Sequence, residues 1–340
     1  MNKGSRALIV SNRTSVEGGG GILNINSRLQ SVFAYLPPCV LEAVRSVPQC
    51  EQRQLREIRL RLARKLTVTA GDKEYFLSRS GLLTSSADNA VDVTCDDISY
   101  ICRLAFKESL HSFRSEIING YVTVKGGSRI GFCGTAVLDV RNSYSVENVK
   151  DISCVNIRIA REIKGCADEL CKQLFDRRTT SLLIAGPPAS GKTTLLRDLT
   201  RQLGNAYSTS LIDIRNEIAA VFEGIAQNDV GLMTDIFTGY NRFEGIMTAI
   251  RVMSPVYLVC DEIGSDDDLK ALEYAVNSGV KLIASCHCSD LAELDSKPVI
   301  RRLIKRGAFE KALLLGSGAQ CGQIKCICDL SKHGKEKVRC

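Results

Sequence analysis

Residues 186–193 read Gly186-Pro187-Pro188-Ala189-Ser190-Gly191-Lys192-Thr193, which matches the pattern G-x-x-x-x-G-K-[ST] at every fixed position. The run Ser181–Ala185 before this stretch is short and apolar, as in a buried strand. Leucines at helical spacing follow the stretch, at Leu195, Leu196, Leu199 and Leu203. A strand, a glycine-rich loop and a helix in this order form a cradle for phosphate groups, because backbone N–H groups line the loop and the positive end of the helix dipole faces it.

This phosphate loop predicts a site for ATP and Mg²⁺. We expect Lys192 to reach the β- and γ-phosphates and the Thr193 hydroxyl to ligate the metal ion. The other members of the predicted nucleotide-binding stretch are Gly186, Pro187, Pro188, Ala189, Ser190, Gly191 and Thr194. Ala189 stands where many such loops have glycine, a change expected to stiffen the loop without removing a ligand.

A second apolar strand, predicted over Val256–Cys260, ends in Asp261 and Glu262. In a parallel sheet its carboxyl end lies at the same edge as the phosphate loop. The interpretation is that Asp261 holds Mg²⁺ through water and that Glu262 orients and polarises an attacking water. A carboxylate base of this kind favours a hydrolase over a nucleotide-dependent switch.

Polar residues at the ends of two further predicted strands are candidates for the same site. Ser285 and His287 follow the strand that starts at Val280, and either could sense the γ-phosphate. Glu217 follows the strand at 210–214 and is a candidate second carboxylate. The alternative for all three is an ordinary polar surface. A zinc site is a further alternative for His287, since it lies among the cysteines Cys286, Cys288, Cys321, Cys326 and Cys328, although they form no matching C-x-x-C pairs.

Basic residues suggest a contact with another molecule. Ile58, Leu60 and Leu62 alternate with arginines at 59, 61 and 64, which predicts a strand with one apolar and one basic face. That basic face is either solvated or binds a subunit, lipid or nucleic acid. A P-loop ATPase often needs an arginine from a neighbouring subunit, and the candidates here are Arg129, Arg242 and Arg251.

The composition suits a chain of about two globular domains. Its 340 residues carry a net charge of +7, with 44% hydrophobic and 24% charged residues, which excludes an intrinsically disordered chain. We find no apolar run long enough to span a membrane and no signal peptide, so we expect a cytoplasmic protein whose cysteines are mostly free thiols. The helix after Thr94 should be capped by Thr94 together with Asp97.

The order of the patterns predicts the fold class and the domain limits. Strands alternate with helices after about residue 166, which predicts an α/β, RecA-like P-loop ATPase domain with a parallel core sheet. We place it at 151–330, after a smaller α+β N-terminal domain at 27–150, with the polar stretch 142–151 as the linker. Disordered tails are expected at 1–26 and 331–340.

Several stretches together resemble the stage III sporulation protein AA family of endospore-forming bacteria. The resemblance spans most of residues 28–330, with modest departures such as Ala189. It rests on the phosphate loop and on Glu57-Ile58-Arg59-Leu60-Arg61, 118–123, 126–134, 213–220, 253–255 and 261–264.

The family is similar to the hexameric ATPases of type II and type IV secretion. The resemblance therefore implies a mother-cell ATPase that forms a ring and docks, through partners, on the inner face of a membrane channel linking mother cell and forespore. There it would energise channel assembly or transport. Two other hypotheses stay open: a P-loop ATPase that depends on nucleic acid, and a scaffold that uses ATP only to assemble.

Overall fold

The computed structural model describes residues 27–106, 120–139, 145–176 and 178–330. They fall into two compact units. The N-terminal unit runs to Glu162 and also includes Ala220–Gln227, whereas the C-terminal unit comprises Ile163–Ala219 and the chain from Asn228 onward. The tails predicted at 1–26 and 331–340 lie outside the described residues.

The N-terminal unit is an antiparallel sheet with helices, as the α+β prediction requires. Its seven strands lie in the order β4-β3-β2-β1-β7-β6-β5. They are β1 Leu55–Arg61, β2 Thr67–Ala70, β3 Lys73–Leu77, β4 Leu83–Thr84, β5 Tyr121–Thr123, β6 Arg129–Asp139 and β7 Ser145–Arg158. The helices are α1 at 27–33, α2 Pro38–Ser46, α3 Gln49–Gln52 and α4 Cys95–Ala105.

Alternation along β1 builds the core of this unit. Ile58 and Leu60 are fully buried and belong to one apolar cluster with residues of α1, α2 and α4. The expected cap of α4 is confirmed, because Thr94 accepts from the Asp97 amide while the Asp97 side chain accepts from the Thr94 amide.

The linker predicted at 142–151 is wrong over its described part. Residues 145–151 belong to β7, which pairs with β6 in the register Thr135↔Lys150 and Ala136↔Val149. Most side chains in this part of β7 are exposed or half-buried, so backbone pairing holds the strand without an apolar pattern. The predicted domain boundary at 150/151 consequently falls inside a strand.

The C-terminal unit has the predicted mostly parallel sheet. Its order is β10-β9-β11-β12-β8-β13-β14, in which only β14 runs antiparallel to its neighbour. The strands are β8 Leu182–Gly186, β9 Thr209–Ile212, β10 Thr234–Phe237, β11 Tyr257–Cys260, β12 Lys281–His287, β13 Lys311–Leu315 and β14 Ile324–Asp329. Every residue of β8, β9 and β11 is buried, as in a sheet covered on both faces.

Five α-helices accompany this sheet in the described chain: α5 Asp168–Leu174, α6 Lys192–Ala206, α7 Arg242–Thr248, α8 Asp266–Asn277 and α9 Pro298–Lys305. A π-helical turn, Ala249–Met253, continues α7. None of the described helices is long and apolar enough to cross a membrane.

The strand order positions the candidate site. β9, β11, β12 and β8 lie side by side and parallel, so their carboxyl ends form one edge. The phosphate loop follows β8, Asp261 and Glu262 follow β11, and His287 ends β12. Three segments that are far apart in the sequence therefore meet at this edge.

Candidate active site

The predicted nucleotide-binding stretch forms the turn between β8 and α6 and the first residues of α6. Gly191, the N-cap residue of α6, has φ 91°, and Ala189 has φ 57°, so both adopt the left-handed conformation. The segment before β14 supports this loop from outside: the Gly322 amide donates to the Ser190 carbonyl at 3.0 Å and the Cys321 thiol donates to the Ala189 carbonyl at 3.1 Å. The stretch comprises Gly186, Pro187, Pro188, Ala189, Ser190, Gly191, Lys192, Thr193 and Thr194.

Lys192 is tied inward to the loop that it follows. Its Nζ donates to the carbonyls of Gly186 and Pro187, each at 2.9 Å, and lies 3.2 Å from Nδ1 of His287. Only 5% of the residue is exposed. Burial lowers the pKa of Lys192, and the nearby carboxylates partly oppose this shift. The Lys192 ammonium is therefore partly desolvated.

Asp261 faces two hydroxyl groups. The Thr193 hydroxyl donates to Oδ2 at 3.2 Å, and the Ser285 hydroxyl donates to Oδ1. Burial raises the pKa of Asp261, and the carboxylates of Glu262 and Glu217 add to the rise. The Asp261 carboxylate thus lies beside the threonine of the phosphate loop. A cation bound nearby would offset the electrostatic cost of its buried negative charge.

Glu262 is held in a strained conformation by four neighbours. Its φ is 49°, in the left-handed region that costs a residue other than glycine about 1–3 kcal/mol. Its amide donates to the Ser285 hydroxyl at 2.9 Å, and its carbonyl accepts from Arg242 at 2.9 Å. Oε1 lies 3.0 Å from Nε2 of His287, and Oε2 forms an ion pair with Arg215. Strain supported in this way is typical of functional sites.

Arg242, a candidate to reach a neighbouring subunit, makes polar contacts within its own chain. Its guanidinium donates to the main-chain carbonyls of Asp261, at 2.8 Å, and Glu262, at 2.9 Å, and pairs with Asp268 at 2.9 Å. The side chains of Arg242 and Asp268 are only 16% and 5% exposed. Arg242 therefore braces the end of β11 from within the same chain.

The other arginine candidates and Glu217 make local contacts of their own. Arg251 is exposed on the π-helical turn, and its Nε donates to the Met247 carbonyl at 3.2 Å. Arg129, in the N-terminal unit, stacks over the Tyr121 ring at 4.7 Å. Glu217 raises the pKa of Asp261, as noted, while its backbone accepts from Arg197 and donates to Asp213.

Sequence reasoning gave two residues near the site no role of their own, although it expected acidic residues at the end of the strand 210–214 to face this crevice. Arg215, after β9, reaches Glu262. Asp213 is almost fully buried and accepts from the amides of Glu217, Ile218 and Ala219, which fixes the turn after β9. Burial raises the pKa of Asp213. Both residues follow a strand of the predicted sheet, and the adjacency of β9 to β11 was the missing information.

A cleft of about 1000 Å³ opens beside this cluster, within the C-terminal unit. Glu262, His287 and Arg242 line it, together with the amino ends of α7, α8 and α9. It leaves room next to the Glu262 carboxylate for a reacting molecule or for a group of a partner.

Among the described residues, no set of three His, Cys, Asp or Glu side chains could hold a metal ion. Cys286 and Cys288 are instead buried in the apolar core of the C-terminal unit, while His287 between them is exposed. The zinc alternative therefore gains no support from the described part of the chain.

Comparisons with known proteins found relatives of similar sequence. The stage III sporulation protein AA of Bacillus subtilis (strain 168) is 31% identical over 307 residues, which is 88% of this chain and 95% of that protein. The uncharacterized protein ycf45 of Cyanidium caldarium is 28% identical over 52% of this chain and 50% of its own length.

The X-ray structure of the Legionella pneumophila ATPase DotB superposes with a TM-score of 0.51 over 92% of this chain and 82% of that chain. At 9% identity this likeness shows the fold alone, and it confirms the predicted RecA-like class. A family model described as "Sporulation stage III, protein AA" matches residues 32–335. The chain therefore belongs to the stage III sporulation protein AA family.

Proposed function

We propose that the chain is a Mg²⁺-dependent ATPase that acts in endospore formation. One observation carries the proposal: four residues of the site meet at one edge of the sheet. Thr193 is hydrogen-bonded to Asp261, and His287 links Lys192 to Glu262. Phosphate binding, metal binding and water activation need these residue types in this proximity.

Nucleotide binding is assigned to the loop between β8 and α6. Its backbone amides and the amino end of α6 would face the phosphates, and Lys192 would exchange one of its present partners for the β- and γ-phosphates. The burial that lowers the pKa of Lys192 supports this role, because a phosphate would supply the charge that the ammonium now finds only at a distance.

The residues beside the loop fit Mg²⁺. Hard oxygen ligands suit this ion, and a hydroxyl and a carboxylate already face each other at Thr193 and Asp261, 3.2 Å apart. Thr193 would ligate the ion directly and Asp261 through water. When bound, Mg²⁺ neutralises charge on the phosphates.

Glu262 is the proposed general base. It lies at the carboxyl end of β11, beside the open cleft, and its backbone is fixed by Ser285 and Arg242. A carboxylate positioned in this way can orient a water molecule and accept its proton. Glu217 would act as a second carboxylate near the metal, and Ser285 and His287 would report whether the γ-phosphate is present.

Family membership supports the biological setting. One relative is a stage III sporulation protein, and DotB, which shares the fold, is described as an ATPase. We place the chain on the inner face of the mother-cell membrane through partner proteins of a channel to the forespore. Subunits would form a ring, for which Arg129 or Arg251 would supply the arginine in trans.

Ion pairs on the predicted basic face of β1 weaken the hypothesis of nucleic-acid binding. Arg59 pairs with Glu57 at 2.6 Å and Arg61 lies 3.4 Å from Glu74, so part of this positive charge is neutralised within the same unit. A nucleic-acid site would need that charge free for phosphates.

Steady-state ATP hydrolysis at several protein concentrations tests the proposal. We expect turnover per chain to rise with concentration, and Lys192→Ala and Glu262→Gln to abolish it. Ser289→Ala, an exposed serine outside the site, is the matched control. Wild-type protein without turnover at any concentration would contradict the proposal, and stimulation by DNA or RNA that weakens steeply with salt would favour the nucleic-acid alternative.

A further inference from the structure

The ammonium group of Lys192 has no free hydrogen-bond donor in this structure. An ammonium has three N–H donors. Two of them face the carbonyls of Gly186 and Pro187, and the third faces Nδ1 of His287 at 3.2 Å. A phosphate oxygen can bind Lys192 only if one of these partners gives way. The carbonyls belong to the loop itself, whereas His287 is a side chain that can turn aside.

The contacts of His287 fix its tautomer. Lys192 can only donate, so Nδ1 must accept and carries no proton. The proton of the neutral ring then lies on Nε2, which is 3.0 Å from Oε1 of Glu262 and donates to it. One imidazole ring therefore links the lysine of the phosphate loop to the proposed general base.

Glu262 is engaged on both of its carboxylate oxygens. Oε1 accepts from His287, and Oε2 pairs with Arg215. Each carboxylate oxygen can accept a second hydrogen bond, so a water molecule that donates to Glu262 competes with the donors already present. Release of His287 from Oε1 would leave that oxygen open toward water.

We propose that His287 is a positioning residue that locks the empty site by holding Lys192 through Nδ1 and Glu262 through Nε2. Arrival of a phosphate at Lys192 removes the partner of Nδ1, the half-exposed ring loses one of its two anchors, and Glu262 is released toward the cleft. The lock thus couples occupation of the phosphate loop to activation of the base. It rests on the proposed function, since it presumes that nucleotide phosphates bind Lys192.

Two substitutions separate the two contacts. In His287→Gln the side-chain amide can reach the position of Nε2 and donate to Glu262, but it leaves Lys192 without its acceptor. In His287→Asn the carbonyl oxygen can replace Nδ1 and hold Lys192, but the side chain is too short for Glu262. His287 is about half exposed, so neither change threatens the fold.

The first readout is the dissociation constant of fluorescently labelled ADP on the full chain. Removal of one net hydrogen bond that competes with the phosphate should tighten binding by about 3- to 10-fold in His287→Gln. His287→Asn should stay within about 2-fold of the wild type. In a Lys192→Ala background, His287→Gln should have no effect on affinity, because the competing contact is already gone.

The second readout separates the lock from a merely structural or a directly catalytic role. The lock predicts that His287→Gln lowers both the KM for ATP and kcat, because glutamine keeps Glu262 engaged whether or not a phosphate is bound, whereas a loss of kcat at unchanged KM would overturn it. The chain has three histidines, so ¹⁵N spectra of labelled histidine can be assigned with the variant. The empty protein should show His287 with its proton on Nε2, and a proton on Nδ1 would also overturn the lock.

Failure of the lock and failure of the proposed function give different results. If wild-type protein binds ADP but both variants bind it with unchanged affinity, the lock is wrong and the proposed function stands. If the wild type binds neither ADP nor ATP, the proposed function is wrong and the lock is wrong with it.

Discussion

Replacement of Arg242 by methionine should destabilise the C-terminal unit and disable the site at the same time. The side chain is largely buried and serves three groups at once: the carbonyls of Asp261 and Glu262 and the carboxylate of Asp268. Methionine fills a similar length of the cleft wall but offers no donor. The change therefore tests whether Arg242 braces the end of β11.

The expected cost follows from these contacts. Each hydrogen bond from the guanidinium to a carbonyl contributes about 1 kcal/mol. Breaking a buried ion pair by removing one partner costs about 3–5 kcal/mol, but Asp268 keeps two backbone donors, the amides of Gly264 and Ser265, each at 2.8 Å. The Asp268 contribution therefore falls below that range, and we expect a total loss of about 3 kcal/mol.

Urea unfolding followed by far-ultraviolet circular dichroism measures this loss, at a protein concentration low enough to keep the chain monomeric. Arg302→Met is the matched control, because its pair with Glu273 is exposed and should contribute less than about 1 kcal/mol. ATP turnover of Arg242→Met should also fall, since the backbone of Glu262 loses its support. Stability within about 0.5 kcal/mol of the wild type together with lost turnover would refute the brace and favour an arginine that acts on another subunit.

Three further predictions concern the loop, the serine of β12 and a buried thiol. Gly191→Ala should lower the free energy of unfolding by about 1–2 kcal/mol in a thermal melt, because φ is 91° at this position. Ala189→Gly should leave it nearly unchanged, since relief of strain offsets the added freedom of the unfolded chain. Equal effects of the two changes on stability would contradict this prediction. Ser285→Ala should lower the free energy of unfolding by about 1–2 kcal/mol and reduce ATP turnover, because the Glu262 amide loses its acceptor and Asp261 loses a donor. An unchanged unfolding midpoint would argue against this prediction. Burial raises the pKa of Cys286 to about 12. Iodoacetamide at pH 8 should therefore modify the exposed Cys50 at least tenfold faster than Cys286, as followed by peptide mass spectrometry. Comparable rates for the two cysteines would contradict this prediction.

Local patterns predicted the frame of the C-terminal unit well. The phosphate loop has a fixed spacing, and strands and helices on either side of it have clear periods, so β8, α6 and the mostly parallel character of the core sheet were accessible from sequence. The cap of α4 was accessible for the same reason, because Thr94 and Asp97 are close in the chain and their interaction is local. Features of this kind need no knowledge of what packs against them.

Partnerships between distant residues were not accessible. Sequence gives Arg215 and Arg242 the same character, that of a basic residue near a strand, yet the first pairs with the Glu262 carboxylate and the second holds its backbone. Only the adjacency of β9 and β11 and the position of α7 distinguish them. The linker failed for a related reason: pairing with β6, not apolar alternation, makes 145–151 a strand. The roles of Lys192, Asp261 and Glu262 stay predictions.

A single-turnover experiment with radiolabelled ATP tests the central claim most directly. Protein in excess over ATP and Mg²⁺ is quenched in acid at successive times, and the fraction of bound ATP converted to ADP is measured for the wild type, Glu262→Gln and Lys192→Ala. The account predicts conversion by the wild type, ATP that stays bound but intact on Glu262→Gln, and strongly weakened binding without conversion on Lys192→Ala. Conversion by Glu262→Gln at the rate of the wild type would contradict it.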